Sequence, residues 1–206
     1  MKKYKIIVKT KSKVYPIIIG KKVISQTSNI LKSNNINFEK CLIVIDSKVP
    51  REKINILKKN IISKKKIIHL FNASEKNKNM KNVNLILNKL FKFNFNRNDT
   101  IISFGGGITG DVSGFAASIF KRGLKFINIP TTLLAQVDSS IGGKTGVNNN
   151  YGKNLIGSFM QPDLVISDVN ILDSLPRREV VCGYGEILKH SIISDKKKFN
   201  YLKKNS

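Results

Sequence analysis

Three closely spaced glycines and an aspartate could bind the phosphates of a nucleotide. Gly105, Gly107 and Gly110 have a G-x-G-x-x-G spacing within TIISFGGGITGDVSGFAASIF, which predicts a strand, a turn and a helix of small residues. The missing side chains would let backbone N–H groups and the helix N-terminus approach a pyrophosphate. Asp111 could accept a hydrogen bond from a ribose or substrate hydroxyl, or cap the helix. A plain tight turn is the alternative, because no acidic residue ends the next strand, KFINIP.

The segment IPTTLLAQVDSSIGGKTGVNNNYGKNLIGSF places polar side chains in an otherwise apolar setting. Lys144, Lys153 and Asn154 would supply hydrogen-bond donors for phosphate oxygens, and Asp138 could accept from substrate hydroxyls. An ordinary surface loop is the alternative, but long loops in compact domains are commonly functional. The other polar residues of the segment are Thr131, Thr132, Ser139 and Ser140.

A third group lies in RREVVCGYGEILKHSII. Glu186, Lys189 and His190 are spaced i, i+3 and i+4, which puts them on one face of a helix. A carboxylate beside an ammonium and an imidazole could bind a metal or perform acid-base chemistry, although a surface salt bridge has the same spacing. His69, inside an apolar strand, is interpreted as a packed residue.

The elements that must position these residues alternate regularly. Apolar strands CLIVID, KIIHLF and TIISF follow helical segments KVISQTSNILKS, PREKINILKKN and NMKNVNLILNKLF, after an antiparallel pair formed by residues 4–8 and 14–19. This pattern predicts an α/β fold with a Rossmann-like, mostly parallel sheet flanked by helices. Residues 170–193 are predicted to be helical, with Ser174 as a cap and Pro176 near the first turn.

Composition excludes some classes of protein. The net charge of +24 over 206 residues lies mainly in the first hundred residues, away from the motifs, and lysine accompanies abundant isoleucine and asparagine. A drift in composition that favours lysine, isoleucine and asparagine codons explains the high charge, with the lysines solvated on helix faces. The charge could also steer an anionic ligand towards the protein. Cys41 and Cys182 match no metal-binding spacing and predict a reducing, cytoplasmic compartment. Neither a signal peptide nor an apolar stretch long enough to span a membrane is evident.

Five segments together resemble the 3-dehydroquinate synthase family in order and spacing. They are GGGITGDVSGFAASIFKRG, IPTTLLAQVDSSIGGKTGVN, GKNLIGSFMQP, LDSLPRRE and GYGEILKH, within residues 101–193. Upstream, ASEKNK resembles the family's cofactor loop with Glu75 and Lys78 retained, but Ala73 and Ser74 replace its usual Asp-Gly. Asp46 resembles the contact to the adenosine end of NAD.

The resemblance implies an NAD-dependent phosphorus–oxygen lyase of the shikimate pathway, which leads to the aromatic amino acids. Its substrate would be 3-deoxy-D-arabino-heptulosonate 7-phosphate, a seven-carbon phosphorylated keto acid, and its products 3-dehydroquinate and phosphate. Bound NAD would transiently oxidise a substrate hydroxyl and be regenerated each turnover, while zinc or cobalt polarises that hydroxyl.

The family's site residues carry over position by position. The resemblance assigns the substrate site to Arg122, Asp138, Lys144, Asn154 and Lys189. It assigns the NAD site to Asp46, Glu75, Lys78, Gly105, Gly106, Gly107, Gly110, Asp111, Thr131, Thr132, Lys144, Lys153, Ile171, Leu172, Asp173 and Ser174. In such enzymes the arginine reaches the neighbouring subunit's site, which implies a homodimer.

Glu186 resembles the family's first metal ligand, whose two partners are histidines further along. Neither His69 nor His190 occupies the position of such a partner, and a catalytic zinc normally takes three protein ligands. We therefore expect residues 1–175 to form an NAD-binding α/β domain and residues 176–206 to begin an incomplete helical domain. The chain is expected to be inactive alone.

Other readings remain open. Another NAD-dependent sugar-phosphate cyclase or a polyol dehydrogenase would share the architecture, and a non-functional remnant would keep the motifs without activity. The charge also permits a nucleic-acid-binding protein, but the sequence has no Trp and no recognisable nucleic-acid motif. A small-molecule substrate, without nucleic acid or membrane, is the preferred expectation.

Overall fold

The computed structural model describes residues 3–194 and 196–205. The strands are β1 (Lys3–Lys9), β2 (Val14–Gly20), β3 (Lys40–Asp46), β4 (Lys65–Phe71), β5 (Thr100–Gly105), β6 (Lys125–Pro130), β7 (Lys144–Asn149), β8 (Gly152–Phe159) and β9 (Leu164–Asp168). The α-helices are α1 (Thr27–Ser33), α2 (Arg51–Lys59), α3 (Met80–Lys92), α4 (Gly107–Ile119), α5 (Arg177–Ser194) and α6 (Lys196–Asn205).

Seven strands form one mixed sheet in the order β1-β2-β9-β6-β5-β3-β4. The pair β1–β2 is antiparallel and every other pair is parallel. The α/β fold with a mostly parallel sheet is thereby confirmed, as is the antiparallel pair at the start of the chain.

Both faces of the sheet are covered. Along β3, Ile43 and Ile45 belong to the apolar core that includes Leu57 of α2, whereas Leu42 and Val44 belong to the opposite core, with residues of α3 and α4. Alternate side chains of a strand point to opposite faces, so a strand covered twice must be apolar throughout. This requirement explains the uninterrupted sequence CLIVI.

The chain reverses its direction of travel across the sheet between β3 and β5. After β3 it adds β4 on one side, then returns to place β5 on the other. Asp46 and Gly105 end these two strands side by side: a Cβ built on Gly105 would lie 2.9 Å from the Asp46 Cβ. Ligands of open α/β sheets bind in the crevice outside the carboxyl ends of the strands at such a point.

Residues 131–159, which lack helix or strand periodicity, fold into a π-helical turn (Ala135–Ser139) and the antiparallel hairpin β7–β8. The hairpin packs on α4 through Gly114, where an added Cβ would lie 2.5 Å from the Thr145 Cγ2. The segment is therefore an ordered part of the fold.

The predicted helix over residues 170–193 is interrupted. A 3-10 turn (Val169–Ser174) precedes α5, which begins at Arg177 after Pro176. The predicted capping role of Ser174 is wrong, because its hydroxyl donates to the carbonyl of Ile171 within the 3-10 turn. Pro176 restricts the preceding Leu175 to an extended conformation, which separates the two helices.

No helix within the described ranges is long and apolar enough to cross a membrane.

Candidate functional site

A cavity of about 750 Å³ opens at the carboxyl ends of β3 and β5, above the N-terminus of α4. Gly106 precedes the helix, and no side chain caps it, so the first N–H groups of α4 remain available to a ligand. A Cβ on Gly106 would lie 3.1 Å from the Thr132 Cγ2 and project into this space. A helix N-terminus without side-chain obstruction is suited to a pyrophosphate, so the chain fits a dinucleotide here.

Eight of the sixteen residues that the resemblance assigns to the NAD site meet in this cavity. Asp46, Glu75, Gly106, Gly107, Thr131, Thr132, Ile171 and Ser174 line its wall. Sequence reasoning missed Lys48, Val49, Pro50, Leu134, Leu175, Pro176 and Glu179, which also line it. Leu134, Leu175, Pro176 and Glu179 lie within the motif segments but carry no role there, and residues 48–50 lie outside those segments, so only the fold shows that they reach the cavity.

Other predicted NAD residues lie outside this wall. Gly110 faces Asn128 of β6, where its missing side chain lets α4 pack closely on the sheet. Leu172 and Asp173 do not line the cavity, and the Asp173 carboxylate accepts from the Asn170 side chain. Lys153 is exposed on the hairpin, with its ammonium 3.9 Å from a Glu75 carboxylate oxygen.

Burial and a backbone hydrogen bond act in opposite directions on the pKa of Asp46. The residue is 7% exposed, and its carboxylate accepts from the Lys48 N–H at 3.0 Å. Desolvation raises the pKa of Asp46, while this hydrogen bond and the Lys48 charge oppose the rise. The side chain is positioned to accept from a hydroxyl at the end of β3.

A second cavity, of about 730 Å³, lies between α4, the π-helical turn and the hairpin. It brings Asp111 of the glycine motif together with Asp138, Lys144 and Asn154 of the polar segment that follows β6. Asn154 has a left-handed backbone (φ 58°), a strained conformation that the hairpin maintains. The cavity thus combines an ammonium and an amide with two carboxylates, which suits a hydroxylated, anionic ligand.

Lys78 connects these residues. The side chain is buried, and its ammonium lies 2.5 Å from both the Asp111 carboxylate and the Asn154 amide oxygen. Burial raises the pKa of Asp111 and the Lys78 hydrogen bond opposes this rise. Asp111 lies in the second turn of α4 and is paired with Lys78, so the alternative that it caps the helix is wrong.

Asp138, Glu186 and His190 form a cluster beside the second cavity. One ligand atom from each lies within 4.8 Å of the others, and the Glu186 Oε1 is 3.2 Å from the His190 Nε2. Lys189 forms an ion pair with the same oxygen, and the hydrogen bond from Lys189 to Glu186 is the main cause that raises the pKa of Lys189. Two carboxylates and an imidazole are a donor set that divalent zinc or cobalt accepts, so the chain fits a metal here.

The fold explains this convergence. Gly183 of α5 packs against the backbone before the π-helical turn: a Cβ there would lie 2.6 Å from the Leu134 nitrogen. One turn further along α5, Glu186 consequently faces Asp138. The i, i+4 spacing revealed Glu186 and His190, but no local signal connects them to a residue almost fifty positions earlier.

Arg122 is not brought to these cavities. It follows the C-terminus of α4, roughly 20 Å along the helix from the glycine turn at a rise of 1.5 Å per residue. Its side chain is exposed and its backbone is left-handed (φ 67°).

A family model for the N-terminal part of 3-dehydroquinate synthase matches residues 68–182, more than half of the chain. The chain belongs to the 3-dehydroquinate synthase family. The 3-dehydroquinate synthase of Pelagibacter ubique (strain HTCC1062) is 64% identical over 201 residues, which cover 98% of this chain and 55% of that protein. The chain thus spans about half the length of the curated 3-dehydroquinate synthases that it matches.

Solved structures of related enzymes have the same fold as this chain. A 2-deoxy-scyllo-inosose synthase complexed with carbaglucose-6-phosphate, NAD+ and Co2+ has a TM-score of 0.83 at 28% identity, covering 92% of this chain and 52% of that one. The 2-epi-5-epi-valiolone synthase of Streptomyces hygroscopicus subsp. jinggangensis 5008, with NAD+ and Zn2+ bound, has a TM-score of 0.79 at 28% identity and the same coverages.

Proposed function

We propose that this chain is the NAD-binding part of a 3-dehydroquinate synthase, which converts 3-deoxy-D-arabino-heptulosonate 7-phosphate to 3-dehydroquinate and phosphate. The observation that carries the proposal is the adjacency of two cavities, one at a helix N-terminus and one rich in charged and amide groups. An added Cβ on Gly107, in the wall of the first, would lie 2.8 Å from the Oγ of Ser139, in the wall of the second. Family membership supplies the reaction.

The first cavity binds NAD in this proposal. The N–H groups at the start of α4 hold the pyrophosphate, and Asp46 accepts from a hydroxyl at the adenosine end. Thr131 and Thr132 line the wall beside the glycines and orient the bound dinucleotide. NAD, when bound, supplies a reversible hydride acceptor.

The second cavity binds the substrate. Lys144 and Asn154 donate to the anionic groups of the keto acid, and Asp138 accepts from its hydroxyls. Lys78 holds Asn154 and Asp111 in place through its buried ammonium. Glu186 holds the divalent metal, zinc or cobalt, which supplies polarisation of the hydroxyl to be oxidised.

The wider organisation follows the same proposal. Residues 1–175 form the NAD-binding domain and residues 176–206 belong to the helical metal and substrate domain, with the boundary at the break before α5. Arg122 acts in the site of a second copy, which makes the protein a homodimer and accounts for its distance from the cavities of its own chain. The shikimate pathway in the cytoplasm is its setting, which the free thiols of Cys41 and Cys182 support.

Another sugar-phosphate cyclase is the less favoured function. The cyclase structures are 28% identical to this chain, whereas the 3-dehydroquinate synthase of Pelagibacter ubique is 64% identical over nearly all of it. The family model also bears the synthase name.

A chimera tests the activity. The matching part of the Pelagibacter ubique enzyme is replaced by this chain, and phosphate release from the seven-carbon substrate is measured with NAD and zinc. We expect release comparable to that of the unaltered relative, and its loss when Lys144 is changed to Met in the chimera. A folded chimera that binds NAD but releases no phosphate would contradict the proposed substrate.

Calorimetric titration of the 206-residue chain with NAD tests the cofactor separately. We expect one site per chain. A folded chain without NAD binding would refute the role of the first cavity.

A further inference from the structure

The side chain of Gln136 bridges the ends of two strands. Its amide nitrogen donates to the carbonyl of Pro130 at 3.2 Å and to the carbonyl of Asp168 at 3.0 Å. Pro130 ends β6 and Asp168 ends β9, whereas Gln136 belongs to the π-helical turn. A side-chain amide has two N–H donors, so both are used here. Gln136 is not among the described residues that line either cavity, so any role in binding must be exerted through other residues.

The bridge lies where β6 and β9 separate. Within the described sheet, the Cα pairs between these strands are Ile127–Leu164 and Asn128–Val165, and no later pair follows. The carboxyl ends of the two strands therefore lack the ladder hydrogen bonds that join parallel strands. The Gln136 amide supplies the connection at this point.

One end of the bridge leads to the wall of the first cavity. Asp168 is fully buried, and its carboxylate accepts from the N–H of Asn170 in the 3-10 turn that follows β9. Ile171 and Ser174 of that turn line the cavity. A displacement of Asp168 would consequently move this wall.

The other end of the bridge leads to the second cavity. The Ser140 N–H donates to the Ala135 carbonyl at 3.1 Å, which is the five-residue hydrogen bond of a π turn. A π turn contains one residue more than an α turn, so relaxation to α geometry would rotate each later side chain by about 100°. Asp138 lines the second cavity, and such a rotation would turn its carboxylate away. The two hydrogen bonds of Gln136 hold the turn against this change.

We propose that Gln136 is a positioning residue that couples the two cavities. Through its hydrogen bonds to Pro130 and Asp168, it fixes the π-helical turn, and with it Asp138, relative to the wall of the first cavity. This inference deepens the proposed function and rests on it, since it assigns a residue that aligns the substrate cavity with the NAD cavity. The role requires an amide, because a glutamate of the same shape would only accept.

Amide hydrogen exchange of the 206-residue chain measures the turn directly. Gln136→Met keeps the side-chain length and removes both donors, whereas Gln136→Glu places a carboxylate against two carbonyl oxygens. Each hydrogen bond contributes roughly two- to tenfold to an equilibrium constant. Exchange at Ser140 should therefore become faster on the order of tenfold in Gln136→Met, and faster still in Gln136→Glu. If Gln136 only fills space, both variants would exchange at the wild-type rate, which would overturn the proposal.

NAD binding tests the coupling between the cavities. Leu134 lines the first cavity, but no residue of the described turn Ala135–Ser139 does, so NAD acts on the turn through its neighbours. NAD should slow exchange at Ser140 in the wild-type chain. In Gln136→Met, NAD should still slow exchange in the 3-10 turn, while its effect at Ser140 should shrink severalfold. An undiminished effect at Ser140 would contradict the coupling.

Gln26→Met is the matched control. Gln26 lies in the 3-10 helix before α1, and its side chain accepts from exposed Lys3, so exchange at Ser140 should stay at the wild-type rate. If Gln136→Met does not fold, Gln136→Asn replaces it, because its amide is one methylene too short to reach both carbonyls.

The proposed function and this inference fail in different ways. Absence of NAD binding in the folded wild-type chain would refute the role of the first cavity, while exchange at Ser140 without NAD would still test the bridge. Faster exchange in a Gln136 variant that is spread equally over β5 and α4 would show a general loss of stability, and the positioning role would then be wrong.

Discussion

At the scale of single residues, a substitution at Gly106 can test ligand binding without unfolding the chain. The Gly106 backbone (φ −72°, ψ −175°) is open to any residue, and a Cβ there would lie 3.1 Å from the Thr132 Cγ2, so a side chain obstructs the ligand at the cost of only a small shift of Thr132. We expect Gly106→Val to stay folded and to lose at least about tenfold in NAD affinity, since it fills the space needed by the pyrophosphate. Calorimetry measures the affinity, and circular dichroism checks the fold.

Gly185 offers a matched glycine for this comparison. A Cβ on Gly185 meets no atom within 4 Å, so Gly185→Val should bind NAD as the wild type does. Equal affinities in the two variants would mean that NAD does not use the N-terminus of α4.

The buried pair of Lys78 and Asp111 predicts a large effect on stability. Lys78→Met leaves Asp111 without its cation in a mostly buried position, which should lower the free energy of unfolding by about 3 kcal/mol. Lys153→Met removes an exposed ammonium 3.9 Å from Glu75 and should change it by less than about 0.5 kcal/mol. Urea unfolding of both variants measures these free energies. Similar decreases in the two variants would show that the buried Lys78–Asp111 pair stabilises the fold no more than the exposed Lys153 does.

At the scale of secondary-structure elements, the hairpin β7–β8 positions Lys144 and Asn154. Its strands approach so closely at Gly157 that an added Cβ would lie 2.2 Å from the Thr145 carbonyl oxygen. Gly157→Ala should therefore push the strands apart and lower the free energy of unfolding by about 1–3 kcal/mol.

NAD affinity should be unaltered by Gly157→Ala, because the hairpin does not line the first cavity. Gly152→Ala, in the same hairpin, meets only the flexible tip of Leu155 and serves as the control. In thermal unfolding, the melting temperature of Gly157→Ala should be well below that of Gly152→Ala. The reverse order would exclude a packing role for Gly157.

The edge strand β4 carries a buried group that titrates. Desolvation, with a smaller contribution from Lys89, lowers the pKa of His69 from 6.5 to about 4. Between these two values the unfolded chain binds a proton that the folded chain does not, so stability falls as the pH drops from about 6.5 towards 4. His69→Gln should remove about 2–3 kcal/mol of this decline.

Chemical unfolding at pH 7 and pH 4.5 measures the effect of His69. If the free energy of unfolding fell by the same amount between the two pH values in wild type and His69→Gln, the lowered pKa of His69 would be contradicted. His69 would then be charged or exposed in the folded chain. The carboxyl groups also titrate in this range, but they change the stability of both proteins equally and so cancel in the comparison.

The elements also show why some structure is evident from sequence and some is not. The strand CLIVID and the helix NMKNVNLILNKLF follow from local patterns, because two-sided burial and a single apolar face impose them. The hairpin β7–β8 has no such pattern, since its glycines serve close packing on α4 and between strands. The candidate site is likewise only partly evident from sequence. Motifs revealed Glu186 and Asp138, but only the packing of α5 near the π-helical turn shows that these two side chains lie close together.

At the scale of the whole molecule, the net charge of +24 acts in two opposite directions. Mutual repulsion of the lysines disfavours the compact state, and salt screens it over a Debye length of about 10 Å at 0.1 M. The same positive field attracts the pyrophosphate of NAD. Raising NaCl from 50 to 500 mM should therefore increase the melting temperature of the chain while weakening its affinity for NAD.

Adenosine isolates the electrostatic contribution, because it occupies the adenosine end of the site without a phosphate charge. Its affinity should change little with salt, whereas that of NAD should decrease severalfold in calorimetric titrations. A parallel decrease for both ligands would mean that salt acts on the fold of the cavity. Salt-independent NAD binding would instead show that the positive charges of the chain, Lys48 in the cavity wall included, do not contribute to NAD affinity, and that the N–H groups of α4 hold the pyrophosphate unaided.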